Sequence, residues 1–384
     1  MSDNLVAFVL AAGFSSRMGA FKPLLPLGKE AVLERTIRLF REAEIKDIRV
    51  VVGYRASELE PILVRCGVRT IENPFYRQGM FSSIQAAVQT IEDNDEAFFI
   101  LPVDISLIRP STIHALVSSF RQSRGEIVYP CFLKERGHPP LISHRLVDDI
   151  THWQGDGGLR AVLSGWERCA CDVDVPDENI LLDMDQYEDY WIMKKKEEYL
   201  DIPTEAECQA LLIIVEAGDK ILRHGQAVAD VAVRLGKALN MAGCRQNLRL
   251  LKAAGFLHDI AKGQSENHAE KGAEMIRNWG YQAVSDVVAT HTDIIFKEGE
   301  PIREREVLYL ADKLVRGAQR VSIQERFRTA VELYADNPEI SVNVARRLHN
   351  ALKIQQRMES ILGCSIEDIL TIDECDTKKS VQSI

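Results

Sequence analysis

The sequence lacks several features that mark common classes of protein. No apolar run is long enough to cross a bilayer, and the opening Met1-Ser2-Asp3-Asn4 has no basic flank of the kind that begins a signal peptide. The eight cysteines are scattered without a C-x-x-C pair, which favours reduced thiols in a cytoplasmic protein. A formal net charge of −10 argues against an extended nucleic-acid surface. We therefore expect a cytoplasmic protein that binds neither a membrane nor nucleic acid.

The length and the residue pattern predict two domains. A chain of 384 residues, 46% hydrophobic and 27% charged, is too long for one ordinary core. Apolar strand-like runs alternate with amphipathic helix-like stretches in the first half, which predicts a mostly parallel sheet covered by helices. From Glu205 onward the pattern is helical. We predict an α/β domain over 1–195, a linker over 196–203, an all-α domain over 204–375 and a disordered tail over 376–384.

The segment after the first apolar run carries the strongest signal in the first half. It reads Leu10-Ala11-Ala12-Gly13-Phe14-Ser15-Ser16-Arg17-Met18-Gly19 and is followed by Lys22. Small residues let backbone N–H groups approach phosphate oxygens, and the two cations can neutralise those oxygens. Arg17 binds as a planar fork, whereas Lys22 acts as a movable point charge. This combination predicts a site for a nucleoside triphosphate.

Asp104 ends a second apolar strand-like run. Ligands bind open parallel sheets at the carboxyl ends of the strands, so Asp104 and Gly13 are expected at the same edge. Nucleotidyl transfer requires such a carboxylate, because Mg²⁺ bridges the phosphates and offsets charge in the transition state. The alternative is an aspartate that caps the next helix. Next to a phosphate-binding loop, the magnesium interpretation is favoured.

The second half contains an ordered set of imidazoles and carboxylates. Its members are His224, His258, Asp259, Lys262, His268, His291 and Asp312. A lone histidine on an apolar helix is usually a core residue, but so many such groups on separate predicted helices are not easily explained in that way. Mixed imidazole and carboxylate ligands suit a divalent transition metal or Mn²⁺. The pattern therefore predicts a metal centre that handles phosphate, with Asp259 and Lys262 in catalytic roles.

The first half resembles the molybdenum-cofactor nucleotidyltransferases, within the wider sugar-nucleotide and cytidylyltransferase superfamily. The resemblance covers roughly residues 5 to 192 and begins with the loop from Leu10 to Lys22. Further segments that carry it are Asn73-Pro74, Gly79-Met80-Phe81-Ser82-Ser83-Ile84, Leu101-Pro102-Val103-Asp104, Gly137-His138-Pro139-Pro140, Gly155-Asp156-Gly157-Gly158-Leu159-Arg160 and Leu182-Asp183-Met184-Asp185. It implies a Rossmann-like nucleotidyltransferase fold for the α/β domain that precedes the predicted all-α domain.

The resemblance also implies roles for individual residues. Arg17 and Lys22 would be catalytic and hold the phosphates, and Asp104 and Asp185 would bind Mg²⁺, with Asp183 as a competitor of Asp185. His138 resembles an acceptor-side residue, although an ordinary loop histidine is an equal alternative. The residues expected to bind the nucleotide or acceptor are Leu10, Ala11, Ala12, Gly13, Lys22, Gly79, Ser82 and His138.

The substrates implied by the resemblance are CTP and molybdopterin or molybdenum cofactor, with release of pyrophosphate. By the same resemblance Ala12 favours CTP over GTP, and a recipient molybdoenzyme would be a further partner. A sugar or polyol phosphate is an alternative acceptor, since the loop and the metal aspartate are shared across the superfamily. In a different class, the protein could be a chaperone or sensor that binds molybdenum cofactor without turnover.

The second half resembles the HD superfamily of metal-dependent phosphohydrolases, over about residues 204 to 330. The residues that match its core metal set are His224, His258, Asp259 and Asp312. His268 and His291 match positions that bind a second metal or the substrate phosphate in some members. The resemblance implies a divalent transition metal such as Mn²⁺ or Fe²⁺, and either a phosphohydrolase or a regulatory module.

Overall fold

The computed structural model describes residues 4–15, 17–123, 125–265, 267–297 and 299–371. The chain divides into two compact units between Leu200 and Asp201, inside the predicted linker of residues 196–203. The tail predicted over 376–384 lies outside the described residues. None of the described helices is long and apolar enough to cross a membrane.

The first unit contains one large sheet and one short hairpin. Its strands are β1 Leu5–Leu10, β2 Pro26–Leu27, β3 Glu30–Ala31, β4 Asp47–Val52, β5 Arg69–Glu72, β6 Ala97–Pro102, β7 Ile127–Phe132, β8 Glu135–Arg136, β9 Leu141–Ser143 and β10 Ala170–Asp174. The sheet order is β10-β7-β9-β6-β1-β4-β5, with β8 beside β7, while β2 and β3 form the hairpin. β9 is antiparallel to both of its neighbours. The sheet is therefore mostly parallel, as predicted, with an antiparallel insertion that the sequence pattern did not indicate.

Helices cover this sheet because its central strands have no polar face. β1 and β6 are buried along their whole length, as expected of strands packed between two layers. The helices are α1 Val32–Glu42, α2 Ala56–Cys66, α3 Met80–Val88, α4 Pro110–Gln122, α5 Val147–His152, α6 Gly158–Ser164 and α7 Tyr187–Glu197. Apolar residues of α3, α5 and α6 pack on one core with β1, β4 and β6. This layered arrangement places the loops after β1 and β6 side by side.

The second unit is helical. Its helices are α8 Glu205–Ile214, α9 Asp219–Met241, α10 Leu248–Leu257, α11 His268–Asn278, α12 Gln282–Val288, α13 Glu304–Lys313, α14 Ile323–Leu333, α15 Pro338–Leu362 and α16 Ile366–Thr371. They enclose one apolar core that draws on nearly all of these helices. A two-stranded hairpin, β11 Val315–Arg316 with β12 Gln319–Arg320, interrupts the helical pattern. The Thr204 hydroxyl caps α8 by accepting a hydrogen bond from the Glu207 N–H, and the Glu207 carboxylate accepts one from the Thr204 N–H.

Candidate nucleotide site and candidate metal centre

A cavity of about 500 Å³ opens at the carboxyl ends of β1 and β6. The two strands are adjacent and parallel with Leu10 opposite Pro102, so the residues after each strand reach the same edge. The predicted residues in the cavity lining are Leu10, Ala11, Ala12, Gly13, Arg17, Lys22, Gly79, Asp104 and Asp185. A Cβ atom built on Gly13 would meet no described atom within 4 Å, so the backbone there is open to a ligand.

Lys22 joins the two predicted magnesium carboxylates. Its Nζ atom lies 2.9 Å from Oδ2 of Asp104 and 3.4 Å from Oδ1 of Asp185, and its side chain is only 11% exposed. Arg17 pairs with the second oxygen of Asp185 at 2.9 Å. Two carboxylates that converge on one cation lie within reach of a single divalent ion. The residues present therefore fit Mg²⁺, with Asp104 and Asp185 as the ligands that would hold it.

The local fold positions Asp185 rather than Asp183. The Asp189 carboxylate accepts hydrogen bonds from the backbone N–H groups of Asp185 and Gln186, which fixes the turn before α7. Met184 is fully buried, whereas Asp183 is exposed and does not line the cavity. Of the two candidates that the sequence left open, Asp185 is the one that the structure places beside Asp104 and Lys22.

Ser82 does not line the cavity, contrary to the expectation from sequence. Its hydroxyl accepts a hydrogen bond from Asn73 Nδ2 at 2.9 Å and lies within donating distance of two backbone carbonyls in the turn before α3. The neighbouring Ser83 lines the cavity instead. The motif therefore has a structural role at Ser82, and a one-residue offset in helical phase brings Ser83 to the ligand side.

His138 lies behind this cavity, outside its lining. Its backbone N–H donates to the Ile180 carbonyl at 2.9 Å, and its Nδ1 atom is buried without a hydrogen-bond partner among the described residues. Burial lowers the pKa of His138, and the carboxylates of Asp104 and Asp183 oppose that shift. The imidazole is therefore held in its neutral form beside the predicted magnesium ligands.

Two tyrosines that were not predicted, Tyr54 and Tyr76, pack against Phe14, which lies in the predicted phosphate-binding loop at the cavity. Phe14 is 44% exposed, and its ring centroid lies 5.2 Å from that of Tyr54 and 5.3 Å from that of Tyr76. Phe14 and Tyr76 line the cavity together with Arg77 and Met80. An exposed ring beside a phosphate-binding loop can stack on a planar base or acceptor. Tyr76 lies between the two recognised segments Asn73-Pro74 and Gly79 to Ile84, but nothing in its own pattern marks it.

The second unit brings all the predicted metal ligands together. His224 lies on α9, His258 and Asp259 follow α10, and His268 begins α11, while the remaining two are His291 after α12 and Asp312 on α13. The Nε2 atom of His224 lies 3.1 Å from Oδ1 of Asp312 and 3.6 Å from Oδ2 of Asp259. Five separate helices or their ends thus supply one largely buried cluster.

Backbone carbonyls set the orientation of three of the imidazoles. The Nδ1 atoms of His224, His258 and His291 lie 2.8, 2.8 and 2.7 Å from the carbonyl oxygens of Gly317, Gly255 and Val288 respectively. A carbonyl can only accept, so each Nδ1 carries a proton and each Nε2 is the ring nitrogen that faces the cluster. This is the usual way in which outer contacts prepare histidines for a metal.

Asp259 is shared by two potential ligand sets. One set is His224, His258 and Asp259, and the other is Asp259, His268 and His291, each with its ligand atoms within 4.8 Å of one another. Oδ1 of Asp259 faces His268 at 3.3 Å and His291 at 3.5 Å, while its Oδ2 faces His258 at 3.4 Å. The Nε2 atom of His258 is buried without a hydrogen-bond partner in the described part of the chain. These donors fit one or two divalent metal ions.

The electrostatics of the cluster favour bound cations. Burial lowers the pKa of His258, but the nearby negative carboxylates of Asp259 and Asp312 outweigh it and raise the pKa to about 9. Burial raises the pKa of Asp259, and the three surrounding imidazoles His258, His268 and His291 reverse this, so that it lies well below its usual range. The carboxylates of Asp259 and Asp312 are therefore ionised although they are buried, and this buried negative charge requires positive charge beside it.

A cavity of about 390 Å³ opens beside the cluster. The predicted Lys262 lines it and forms an ion pair with Asp259, with 2.5 Å between Nζ and Oδ2. Lys313, which was not predicted, pairs with Asp312 at 2.6 Å and donates to the His291 carbonyl. Its position next to Asp312 is the only signal that could have indicated it.

Each half of the chain is similar to a known protein family. Residues 7–170 match the family model of the MobA-like NTP transferase domain, and residues 221–317 match that of the HD domain. The molybdenum cofactor cytidylyltransferase of Escherichia coli (strain K12) is 28% identical over 195 residues, which are 50% of this chain and 96% of that protein. The bifunctional protein GlmU of Gloeobacter violaceus is 33% identical over 123 residues, but the chain spans only 27% of it. The crystal structure of Rv0371c from Mycobacterium tuberculosis H37Rv is 23% identical and covers 51% of this chain and 100% of its own, with a TM-score of 0.43.

Proposed function

We propose that this chain, which joins a MobA-like NTP transferase domain to an HD domain, transfers CMP from CTP to molybdopterin or molybdenum cofactor and also hydrolyses a phosphate compound. The convergence of Lys22, Asp104 and Asp185 on one cavity carries the first part of the proposal. The name of the Escherichia coli relative, over 96% of its length, supports the choice of substrates. The buried cluster around Asp259 carries the second part.

In the transferase reaction, a phosphate oxygen of the acceptor forms a bond to the α-phosphorus of the nucleotide. The bond from that phosphorus to the pyrophosphate oxygen breaks, so no side-chain nucleophile is needed. Arg17 and Lys22 neutralise the leaving phosphates, and the loop after Leu10 holds them in line. Mg²⁺ at Asp104 and Asp185, when bound, offsets the charge that develops on the phosphate oxygens.

In the hydrolase reaction, a water oxygen bonds to phosphorus, the ester or anhydride bond breaks, and a proton passes to the leaving oxygen. Metal ions held by the histidines and by Asp259 and Asp312 would supply a Lewis acid and lower the pKa of a water molecule. Lys262 and Lys313 lie next to the ligand carboxylates and can bind phosphate oxygens. The hydrogen bonds from the histidine Nδ1 atoms to backbone carbonyls keep the imidazoles oriented.

A sugar or polyol phosphate is the second candidate acceptor. It stays open because a differently named relative, the bifunctional protein GlmU, is 33% identical to this chain over 123 residues, so the similarity of the first half is not confined to the cytidylyltransferase. A chaperone or sensor that binds molybdenum cofactor without turnover would use the same cavity. Turnover of nucleotide separates the enzyme from this last alternative.

The experiment is to measure pyrophosphate release from CTP, GTP, ATP and UTP with Mg²⁺, with and without freshly released molybdenum cofactor. Release from CTP that requires the cofactor supports the proposal. Pyrophosphate release that requires a sugar phosphate supports the second candidate. No release from any of the nucleotides, with either kind of acceptor, contradicts a transferase. The hydrolase part is tested by incubating nucleotides, dinucleotides and pterin phosphates with Mn²⁺ and measuring free phosphate and new nucleotides.

A further inference from the structure

The cavity beside the metal cluster has a wall that lies outside the segment matched to the HD domain. That match ends at residue 317, whereas α14 and α15 begin at Ile323 and Pro338. The α14 part of the wall consists of Arg326, Phe327 and Ala330, together with Tyr334 just after the helix. These residues lie on one face of the helix, because each of the later two is three or four residues beyond the one before it. From α15 the wall takes Ile340, Val344 and Arg347, again at helical spacing. This chain thus adds its own surface to the metal centre.

Arg326 is the cation lining this cavity that forms no ion pair with a described residue. Lys262 and Lys313 are already paired with Asp259 and Asp312. Arg347 lies 3.9 Å from Oδ2 of Asp293, although its Nε atom is also buried without a hydrogen-bond partner among the described residues. Arg326 forms no ion pair or side-chain hydrogen bond with a residue in the described part of the chain, and its Nε atom is buried. An unpaired guanidinium beside a candidate phosphate site can bind an anion in a bidentate manner, through two parallel N–H groups in one plane.

Apart from Arg326 and Arg347, the wall is mostly apolar. Phe327 is buried, while Tyr334 and Ile340 are 37% and 38% exposed and face the cavity with Val344. The volume of about 390 Å³ falls in the range of about 300–1,000 Å³ that is typical of small-molecule sites. A ring can therefore lie against Tyr334 while one phosphate lies at the metal cluster.

We propose that the HD domain selects a nucleotide with two anionic phosphate groups, one at the metal cluster and the other on Arg326, with its ring against Tyr334. This specificity rests on the proposed hydrolase function of the same cluster. Because Lys262 and Lys313 already have carboxylate partners, Arg326 is the group that distinguishes a second anion from a single phosphate. Arg326 is thus a specificity-determining residue, and inorganic phosphate has no need of it.

The test uses calorimetric titration of the full chain loaded with Mn²⁺. The probes are inorganic phosphate, methylenediphosphonate and α,β-methylene ADP, which supply one anion, two anions, and two anions with a ring. We expect Arg326→Gln to weaken binding of both two-anion probes by roughly ten- to hundredfold, the usual worth of a charged hydrogen bond. Binding of inorganic phosphate should not change, and Arg326→Lys should restore part of the loss.

The matched control is Arg328→Gln, because Arg328 is exposed on the same helix and does not line the cavity. Nucleotide binding in the first unit is common to all these variants and cancels in the comparison. Tyr334→Ala should weaken α,β-methylene ADP but not methylenediphosphonate. Equal effects of Arg326→Gln on all probes, or none, would overturn the proposal. If phosphate binding does not depend on Mn²⁺ in any variant, the hydrolase function itself fails.

Discussion

Asp183 and Asp185 are separated by one residue, yet only Asp185 reaches Lys22 and the cavity. We expect Asp185→Asn to lower kcat/KM for pyrophosphate release by on the order of a hundredfold, because it removes a charge that would hold Mg²⁺ against the phosphates. Asp183→Asn is the matched control and should stay within a few-fold of the wild type. A larger loss in Asp183→Asn than in Asp185→Asn would reverse the assignment.

His138 gives a second prediction, on stability against pH. Burial lowers the pKa of this residue in the folded state, so the unfolded chain binds its proton more readily, below about pH 6.5. Its contribution to stability is complete above the pKa of the unfolded state and is lost as the pH falls through the lower folded value. We expect His138→Gln to reduce the loss in melting temperature of the first unit between pH 8 and pH 5.

The control for this prediction is His114→Gln, since His114 is exposed on α4. It should melt with the same pH dependence as the wild type. Each variant removes one histidine and keeps all the others, so the comparison between the two variants removes the contribution that the remaining histidines share. If acid destabilises His138→Gln as much as the wild type, the buried neutral imidazole is not the cause.

At the residue scale, the sequence indicated which side chains are candidate metal ligands better than it indicated how those side chains are oriented. The type and order of His224, His258, Asp259 and Asp312 were visible in the chain, because each is a poor choice for an apolar helix. The carbonyl contacts of their Nδ1 atoms were not visible, since backbone oxygens leave no trace in residue type. Ser82 was misplaced by one position for a similar reason, because helical phase near a turn depends on tertiary contacts.

At the scale of elements, the close approach of α9 and α10 controls the metal cluster. A Cβ on Gly255 would lie 2.4 Å from Cα of Ala229, and Gly255 also supplies the carbonyl that orients His258. We expect Gly255→Ala to destabilise the second unit by about 1–3 kcal/mol through overpacking and to weaken Mn²⁺ binding. Denaturant unfolding and Mn²⁺ titration measure the two effects.

The control for this substitution is Gly218→Ser. A Cβ there meets no described atom within 4 Å, and Gly218 is the N-cap of α9, where serine is favoured. It should bind Mn²⁺ like the wild type. Unchanged stability and metal affinity in Gly255→Ala would mean that the helices separate without moving His258.

Helices and strands were predictable where apolar residues recur at helical spacing or form a continuous run. The long amphipathic stretches correspond to α1, α3 and α4, and the apolar runs correspond to β1, β4, β5, β6 and β7. The antiparallel β9 and the two-residue strands were not predicted, because such short segments have no period that separates them from loops. The wall formed by α14 and α15 could be predicted as helices, but not as part of a site, because helix pairing is a tertiary choice.

At the scale of the whole molecule, each unit has its own core and its own candidate site. A ligand that binds only the folded form of one unit should therefore stabilise that unit. Mn²⁺ at a hundred times its dissociation constant adds about 2.7 kcal/mol. For a unit of this size, about 2–4 °C per kcal/mol gives a rise in melting temperature of about 5–10 °C. Differential scanning calorimetry of the full chain, before and after removal of metal by a chelator, measures this rise.

Two isosteric variants decide whether the rise belongs to the predicted cluster. Asp259→Asn removes the carboxylate shared by both ligand sets and should abolish most of the rise, because neither set then keeps its anionic ligand. Asp286→Asn makes the same change at an exposed position on α12 and should preserve it. A full Mn²⁺ effect in Asp259→Asn would place the stabilising ion elsewhere, and it would remove the basis for hydrolysis at this cluster while leaving the transferase proposal intact.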